Sequence, residues 1–292
     1  MRRSMLFIPG NSPGMLLSAD IHQADAVIFD LEDAVSPLEK DAARILVRNA
    51  IRAFDYRSVE IIVRINPLDS GFVGDDIAAM VPLRPSLLMP AKVSGAGDIG
   101  AVSRLMAQAE ADAGLPENAV GIIALLETAL AIERAYEIAS ADARVRALLL
   151  GAEDLTSDLQ AVRSKEGAEI AYARGRVVMA GRAAGVDIYD TPFTDVNDLE
   201  GLAKDAAHAR ALGFTGKAVI SPRHVAAVNA AFTPSPDEIE YAREVMAAIA
   251  EGKRLGRGVV SLRGKMVDKP IVDRARRVLD TARALGLEGE EA

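Results

Sequence analysis

The chain has 292 residues, half of them hydrophobic and 26% charged, which is the composition of an ordinary globular protein and not of a disordered or membrane chain. A net charge of −8 with 4% aromatic residues argues against nucleic-acid binding, which needs a basic face and stacking side chains. No cysteine is present, so disulfides, thiolate metal sites and cysteine nucleophiles are excluded.

The N-terminal segment reads MRRSMLFIPG, with two arginines before a short apolar run. The run ends at Pro9, below the roughly 7 to 15 apolar residues that an export signal needs. Nowhere does an apolar stretch reach the roughly 18 residues of a membrane span. We therefore expect a cytoplasmic protein without membrane contact, and the lack of cysteine is compatible with a reducing compartment.

Eight short apolar runs recur in residues 1–222, each followed by a polar or glycine step and then an Ala/Leu-rich segment with helical spacing. Strands that alternate with helices indicate parallel βαβ units, and eight units match the size of a TIM-type (β/α)₈ barrel. A doubly wound open sheet is the competing interpretation. The barrel is favoured because nearly every run ends in a chemically active side chain. The runs are Met5 to Ile8, Ala26 to Leu31, Ile61 to Ile65, Leu87 to Met89, Val120 to Leu126, Ala147 to Leu150, Val186 to Tyr189 and Ala218 to Ile220.

The second run, AVIFDLEDAV, brings three acids to the end of a buried strand: Asp30, Glu32 and Asp33. Crowded carboxylates raise each other's pKa unless a cation or hydrogen bonds hold them, so the stretch indicates a functional site. The alternative is that Glu32 and Asp33 cap the next helix, which we expect to start near Pro37.

Two basic residues lie at the ends of the next two runs. Arg64 lies within VRIN, where an unpaired guanidinium would be costly to bury. It could pair structurally with Asp30 or Glu32, or bind a substrate carboxylate through its planar fork. Lys92 in MPAKV could act as a Schiff-base nucleophile, although a neighbouring metal site would make that chemistry less necessary.

Glu127 and Asp154 form the strongest pair of candidates, since each closely follows a run of leucines and isoleucines. Two carboxylates on successive strands suit Mg²⁺, which takes one or two protein carboxylates and keeps much of its water. The alternative is helix capping by Asp154, and by Thr128 after Glu127.

Two other patterns carry less weight. Gly95, Gly97 and Gly100 imitate a dinucleotide fingerprint, but the acid at position 127 lies 27 residues beyond Gly100, where about 20 are expected. The motif also occurs in the fourth of eight equivalent units, so NAD binding is not favoured. The three histidines are isolated from one another and form no ligand spacing: His22, His208 and His224.

Beyond a barrel domain of residues 1–232, the texture changes, and residues 233–292 predict a helix–hairpin–helix appendage. The pattern of secondary structure is interrupted at Thr233-Pro234-Ser235-Pro236. A helix is expected from Asp237 to Glu251, a hairpin from Gly258 to Val267 turning at Arg263-Gly264, a helix from Pro270 to about Leu285, and a frayed acidic tail from Gly289 to Ala292. So small a unit should pack on its own barrel or on a neighbouring subunit.

Several phrases together resemble the β subunit of citrate lyase and its relatives, the malyl-CoA and citramalyl-CoA lyases of the HpcH/HpaI aldolase superfamily. They are RRSMLFIPG, ADAVIFDLEDAV, EKDAAR, VRINPLDS, a glutamate after IIALL, GKAVISP and GVVSLRGKMVD, in that order from Arg2 to about Leu285. The resemblance implies a TIM-like barrel that uses Mg²⁺, assembles as a homotrimer or hexamer, and cleaves a 3-hydroxy-acyl thioester by retro-aldol chemistry.

The resemblance also implies roles for individual residues. Glu127 and Asp154 would be the metal ligands, Glu32 and Asp33 would hold metal-bound water, and Arg64 would bind the keto-acid end. Lys92 would lie near the thioester and form no Schiff base, with Gly151 and Ala152 also binding substrate. Asp268 would be catalytic from a neighbouring subunit, protonating the acyl enolate, whereas a helix cap is the alternative that the residues leave open there.

The acyl carrier and the exact reaction stay open. The segment GAEDLTSDL is closer to the CoA-linked members, while the terminal phrases favour the subunit that works on acyl carrier protein, with other citrate lyase subunits as its partners. A metal-dependent aldolase of free hydroxy-keto acids is one alternative. A non-catalytic structural homologue is the other, and the intact acids at positions 32, 33, 127 and 154 argue against it.

Overall fold

The computed structural model describes residues 1–255 and 260–287. Eight parallel strands pair in chain order, and the ring closes because β1 also pairs with β8. The TIM-type barrel is therefore confirmed and the open sheet is wrong. All eight predicted runs are strands, with ends within two residues of the expected ones: β1 (Ser4–Pro9), β2 (Ala26–Asp30), β3 (Glu60–Ile65), β4 (Leu87–Pro90), β5 (Gly121–Leu126), β6 (Val145–Leu150), β7 (Asp187–Asp190) and β8 (Gly216–Val219).

Helices follow the strands and surround the barrel. They are α1 (Pro13–Leu17), α2 (Lys40–Ala53), α3 (Val73–Met80), α4 (Ala96–Asp112), α5 (Ala129–Glu133), α6 (Ala135–Ala139), α7 (Ala152–Asp158), α8 (Ala171–Ala184), α9 (Leu199–Leu212) and α10 (Pro222–Phe232). Single 3₁₀ turns occur at Pro37–Glu39, Leu68–Ser70, Val81–Leu83 and Ala168–Ile170. The segment after Glu127 is two short helices and not one, because the ψ angle of Arg134 is 13° and interrupts the helical backbone.

The strands are apolar throughout because both of their faces are buried. In β2, Ala26 and Ile28 point into the barrel, where they join one core cluster, while Val27 and Phe29 on the other face are also fully buried. Burying one such side chain stabilises the fold by roughly 1.5–3 kcal/mol. The packed interior therefore leaves only the strand ends free for chemistry.

Strand register determines which side chains meet at those ends. Asp30 pairs in register with Arg64 across β2 and β3. Leu126 pairs with Leu150 across β5 and β6, so Glu127 and Gly151 leave the barrel side by side. Backbone pairing alone therefore places two of the predicted site residues, Glu127 and Gly151, next to each other.

The chain divides into two compact units, Arg2–Ala230 and the segment from Ala231 onward. The second unit contains α11 (Pro236–Arg254), α12 (Lys269–Ala284) and a hairpin of β9 (Val260–Leu262) and β10 (Lys265–Val267). The hairpin turns where expected, with positive φ at both Arg263 and Gly264. Gly258 and Val259, and the tail from Gly289, lie outside the described residues.

Local signals explain the boundaries of the second unit. Ser235 accepts a hydrogen bond from the Glu238 N–H and Glu238 returns one to the Ser235 N–H, a capping box that starts α11 one residue before the expected position. Val245, Val267 and Val272 join its own small apolar cluster. None of the helices in the described part of the chain is both long and apolar enough to cross a membrane.

Candidate functional site

A cavity of about 460 Å³ opens at the carboxyl ends of the barrel strands. Phe7, Leu125 and Leu149 form an apolar wall, and Arg64 is the only basic residue among those that line it. The acidic residues in the lining are Asp30, Asp33, Glu127, Glu153 and Asp154. The cavity therefore carries an excess of negative charge, which a cation would neutralise.

Arg64 binds Asp30 through two hydrogen bonds of 2.6 Å, from Nε and Nη2. Its Nη1 lies 3.1 Å from Glu32 Oε2 and 3.4 Å from Asp33 Oδ2, and its guanidinium lies 5.1 Å from the Phe7 ring centre. Burial lowers the pKa of Arg64, but the surrounding acids more than offset this and keep it charged. The structural pairing that we considered for Arg64 is present. Asp30 occupies the side-on edge of the fork, and Nη1 contacts Glu32 and Asp33. Nη2 carries a second N–H beyond the one that it donates to Asp30.

The loop after β2 is held in place by buried polar groups. Asp30 accepts hydrogen bonds from the main-chain N–H groups of Glu32 at 2.9 Å and Ala34 at 3.2 Å. The ammonium of Lys40 donates to the carbonyl oxygens of Leu31 at 2.9 Å and Glu32 at 2.6 Å. A loop anchored by its own carbonyls and amides presents its acids in a fixed arrangement before any ligand binds.

Glu32 and Asp33 differ in their surroundings. Glu32 is 4% exposed, whereas the side chain of Asp33 is 53% exposed. Burial, together with repulsion from Asp33, raises the pKa of Glu32, although Arg64 opposes this. Neither acid caps a helix, because α2 begins at Lys40 and has no side-chain cap. The capping alternative for these two residues is wrong.

Glu127 is a deeply buried acid of the cavity, at 3% exposure. Burial, with repulsion from Asp154 and Glu32, raises its pKa to about 8, even though Oε1 accepts a 2.6 Å hydrogen bond from the Lys92 N–H. Its other oxygen faces Gly151, where an added Cβ would lie 3.1 Å from Oε2 and 2.8 Å from the Glu127 Cβ. Only glycine at position 151 leaves this carboxylate its space.

Asp154 lies in the first turn of α7, two residues beyond Ala152, and lines the same cavity. It does not cap the helix, since Gly151 occupies the N-cap position, whereas Thr128 does cap α5 by accepting from the Ala131 N–H at 3.1 Å. The Ala152 N–H donates to Thr191 Oγ1 at 3.1 Å, which fixes the start of α7.

Lys92 connects two of the acids from the edge of the main cavity. Its main-chain N–H binds Glu127, and its Nζ lies 3.3 Å from Glu32 Oε1. The lysine lines a smaller cavity of about 200 Å³, beside Ser94 and Asp98, and not the main one. Its expected contact with the thioester stays a prediction.

Asp268 is the N-cap of α12 and accepts a hydrogen bond from the Ile271 N–H at 3.3 Å. The capping geometry that the residues allowed is therefore present. The carboxylate is exposed, and its catalytic role toward a neighbouring subunit stays a prediction.

A second charged network, almost entirely buried, links β7, β8, α8 and α9 and was not predicted. Lys217 Nζ donates to Asp190 Oδ2 and to the Thr191 carbonyl at 2.6 Å each, and it lies 2.6 Å from Asp205 Oδ2 as an ion pair without hydrogen-bond alignment. Arg174 donates two 2.9 Å hydrogen bonds to Asp190. Burial raises the pKa of Asp190, but Lys217 and Arg174 hold it below its usual value. Asp190, the last residue of β7, is thus structural and supports Thr191.

The donor set fits a hard divalent cation. Glu127 and Asp154 supply carboxylate oxygens, and burial together with repulsion from Asp154 disfavours the anionic form of Glu127, which a bound cation would stabilise. Among the described residues, no three His, Cys, Asp or Glu side chains are grouped closely enough to hold a metal by themselves. Mg²⁺ prefers this arrangement, in which two protein carboxylates bind it and water or substrate oxygens complete its coordination shell.

Comparison with known proteins gives consistent similarities. Residues 3–222 match the family model described as HpcH/HpaI aldolase/citrate lyase. The citrate lyase subunit beta of Leuconostoc mesenteroides subsp. cremoris is 43% identical over 100% of this chain and 96% of its own length. A (3S)-malyl-CoA thioesterase of Cereibacter sphaeroides is 36% identical over 98% of this chain and 96% of its own.

Among solved structures, the protein CitE of Mycobacterium tuberculosis, crystallised with magnesium, acetoacetate and coenzyme A, superposes with a TM-score of 0.79. It is 31% identical, and the match covers 97% of this chain and 98% of that one. Both units of the present chain therefore have counterparts in a relative of nearly equal length.

Proposed function

Because this chain belongs to the HpcH/HpaI aldolase/citrate lyase family and is a lyase, we propose that it is a Mg²⁺-dependent enzyme that cleaves a carbon–carbon bond in a 3-hydroxy-acyl thioester. The substrate would be a citryl, citramalyl or malyl thioester of CoA or of an acyl carrier protein. The products would be an acyl thioester and a 2-keto acid. The observation that carries the proposal is the buried carboxylate of Glu127 beside Asp154, in a cavity where Arg64 is the single basic side chain among the described lining residues.

Each residue has a role in this reaction. Glu127 and Asp154 hold the metal ion, which when bound supplies Lewis-acid polarisation of the substrate hydroxyl oxygen. Arg64 binds the carboxylate of the keto-acid half through the second N–H of Nη2 and fixes its orientation, while Asp30 prevents the guanidinium from turning. Glu32 and Asp33 order water next to the metal.

The acyl half needs a proton donor after bond cleavage. On cleavage the substrate hydroxyl loses its proton to water, and Asp268 of a neighbouring copy, in its protonated form, gives a proton to the carbon of the acyl enolate. As a carboxylate it removes that proton in the condensation direction. Lys92, Gly151 and Ala152 contact the thioester side. In this proposal residues 1–232 are the catalytic barrel, residues 233–292 pack on the next subunit of a cytoplasmic homotrimer or hexamer, and other citrate lyase subunits are possible partners. The magnesium and coenzyme A present in the CitE crystal support the choice of metal and carrier.

The test is to incubate the purified protein and Mg²⁺ with citryl, citramalyl and malyl groups on CoA and on acyl carrier protein. Keto acid is measured with a coupled dehydrogenase and free thiol with a colorimetric thiol reagent. The chain has no cysteine, so every thiol detected comes from the carrier. A lyase releases keto acid without free thiol. Free thiol without keto acid would identify a thioesterase and overturn the proposal.

Variants then test the metal site. Glu127→Ala and Asp154→Ala should each lose metal-dependent turnover and most Mg²⁺ affinity. The matched control is Glu200→Ala, which removes an acid whose side chain is 82% exposed on α9. Turnover of free hydroxy-keto acids but not of thioesters would instead support the aldolase alternative, and binding without any turnover would support a structural homologue.

A further inference from the structure

The backbone of Lys92 adopts a conformation that its residue type disfavours. Its φ angle is +56°, in the left-handed region, although it is neither glycine nor asparagine. This turn directly after β4 aims the Lys92 N–H at Glu127 Oε1, at 2.6 Å. A residue keeps such an unfavourable backbone conformation where its neighbours stabilise it. Here the stabilising neighbour is Glu127, a candidate metal ligand.

The hydrogen bond makes the two oxygens of Glu127 unequal. Oε1 is engaged by a main-chain donor, whereas Oε2 lies on the side of Gly151, in the space that a Cβ there would enter. A carboxylate bound in this way cannot rotate freely. Oε2 is the oxygen left to coordinate a cation.

The side chain of Lys92 acts on a second acid. Its ammonium lies 3.3 Å from Glu32 Oε1, while Glu32 Oε2 accepts from the Asp33 N–H at 3.0 Å and lies 3.1 Å from Arg64 Nη1. The two oxygens of Glu32 therefore face different partners. The lysine approaches from the smaller neighbouring cavity, so it leaves the main cavity open.

We propose that Lys92 is a positioning residue with two separable functions: its left-handed main chain selects Oε2 of Glu127 as the metal-facing oxygen, and its ammonium fixes Glu32. The inference rests on the proposed metal site. Substitutions separate the two functions because they differ in charge and in tolerance of positive φ.

Three variants are compared with the parent. Lys92→Asn removes the charge but keeps the backbone, because asparagine tolerates positive φ. Lys92→Ile removes the charge and also opposes the backbone conformation, because a β-branched residue disfavours positive φ. Lys92→Arg keeps the charge and is the rescue control. Mg²⁺ affinity is measured by calorimetry on metal-stripped protein without substrate, and turnover is measured on the thioester that the parent cleaves.

We expect Lys92→Asn to bind Mg²⁺ as tightly as the parent or more tightly, since a cation near the site is removed, yet to lose turnover by about tenfold or more because Glu32 is no longer held. Lys92→Ile should bind Mg²⁺ about tenfold more weakly or worse, because an oriented hydrogen bond to a charged ligand is lost. Lys92→Arg should recover most of the turnover.

The outcomes are distinct. A parent that binds no Mg²⁺ overturns the proposed metal site and this inference with it. If the parent binds and Lys92→Ile binds equally well, or if Lys92→Asn is weakened as much as Lys92→Ile, the inference alone is overturned. Should Lys92→Ile fail to fold, hydrogen exchange of the residue 92 amide, followed by NMR, decides. It should be slow in the parent and in Lys92→Asn and fast in Glu127→Ala, and equal rates in all three overturn the inference.

Discussion

Replacing Lys217 with methionine should strongly lower the free energy of unfolding of the barrel, although Lys217 has no proposed part in the reaction. The ammonium is 0% exposed and lies 2.6 Å from each of three acceptor oxygens, on Asp190, Thr191 and Asp205. Methionine has a similar length but no charge. The substitution therefore removes interactions while adding little strain.

The magnitude follows from the charge count. Lys217 and Arg174 supply two positive charges, and Asp190 and Asp205 supply two negative ones, so the parent group is neutral. Lys217→Met leaves one uncompensated buried negative charge. Breaking a buried pair in this way costs about 3–5 kcal/mol. For a barrel of this size each kcal/mol lowers Tm by about 2–4 °C, so a decrease of roughly 6–20 °C is expected.

The assay is urea unfolding followed by circular dichroism, with the free energy of unfolding obtained by linear extrapolation. Lys204→Met is the matched control, because Lys204 is exposed on α9 and pairs with Glu200 over one helical turn. Its effect should stay within about 0.5 kcal/mol. A Lys217→Met protein within about 1 kcal/mol of the parent would show that the buried network does not stabilise the barrel as argued.

Three further substitutions address the site. Arg64→Lys should remain folded but lose most turnover or affinity, because a lysine cannot reproduce the planar fork; unchanged kinetics would refute carboxylate binding by Arg64. Gly151→Ala should weaken Mg²⁺ binding by about tenfold or more, because the new Cβ would lie 2.8 Å from the Glu127 Cβ, while Gly97→Ala, with nothing within 4 Å, should bind as the parent does; equal affinities would remove the packing argument. Asp268→Asn should fold, assemble and bind Mg²⁺ but lose most turnover, and mixing it with Glu127→Ala protein under subunit exchange should restore part of the activity. Full activity of Asp268→Asn alone would contradict the catalytic role, and exchange without rescue would contradict its action across subunits.

Local pattern was sufficient for the barrel and for the position of its acids. The apolar run before Glu127 predicts both a strand and a carboxylate at its end, because a buried strand needs consecutive apolar residues and the run shows where it ends. Hydrogen bonds that depend on how separate elements pack leave no such local pattern in the sequence. The hydrogen bonds of Lys40 to the loop after β2 join residues eight and nine positions apart and depend on how α2 packs.

The role of each strand-end acid likewise could not be predicted from the sequence. Asp190 and Glu127 both follow apolar runs, yet one is neutralised by Lys217 and Arg174 while the other faces an acidic cavity. The cations that distinguish them come from β8 and α8, elsewhere in the chain. The left-handed backbone of Lys92 had no signal at all, since neither glycine nor asparagine marks the turn.

The closure of the barrel between β1 and β8 has a consequence for protein synthesis. The barrel residues proposed to hold the metal and the keto acid, from Glu32 to Asp154, all lie in or directly after the contiguous strands β2 to β6. While the nascent chain still lacks β8, this functional arc is complete but β1 and β7 have exposed edges. Unpaired edges invite pairing with other chains, so the ribosome-bound chain is most prone to aggregation in the interval before Val219 emerges.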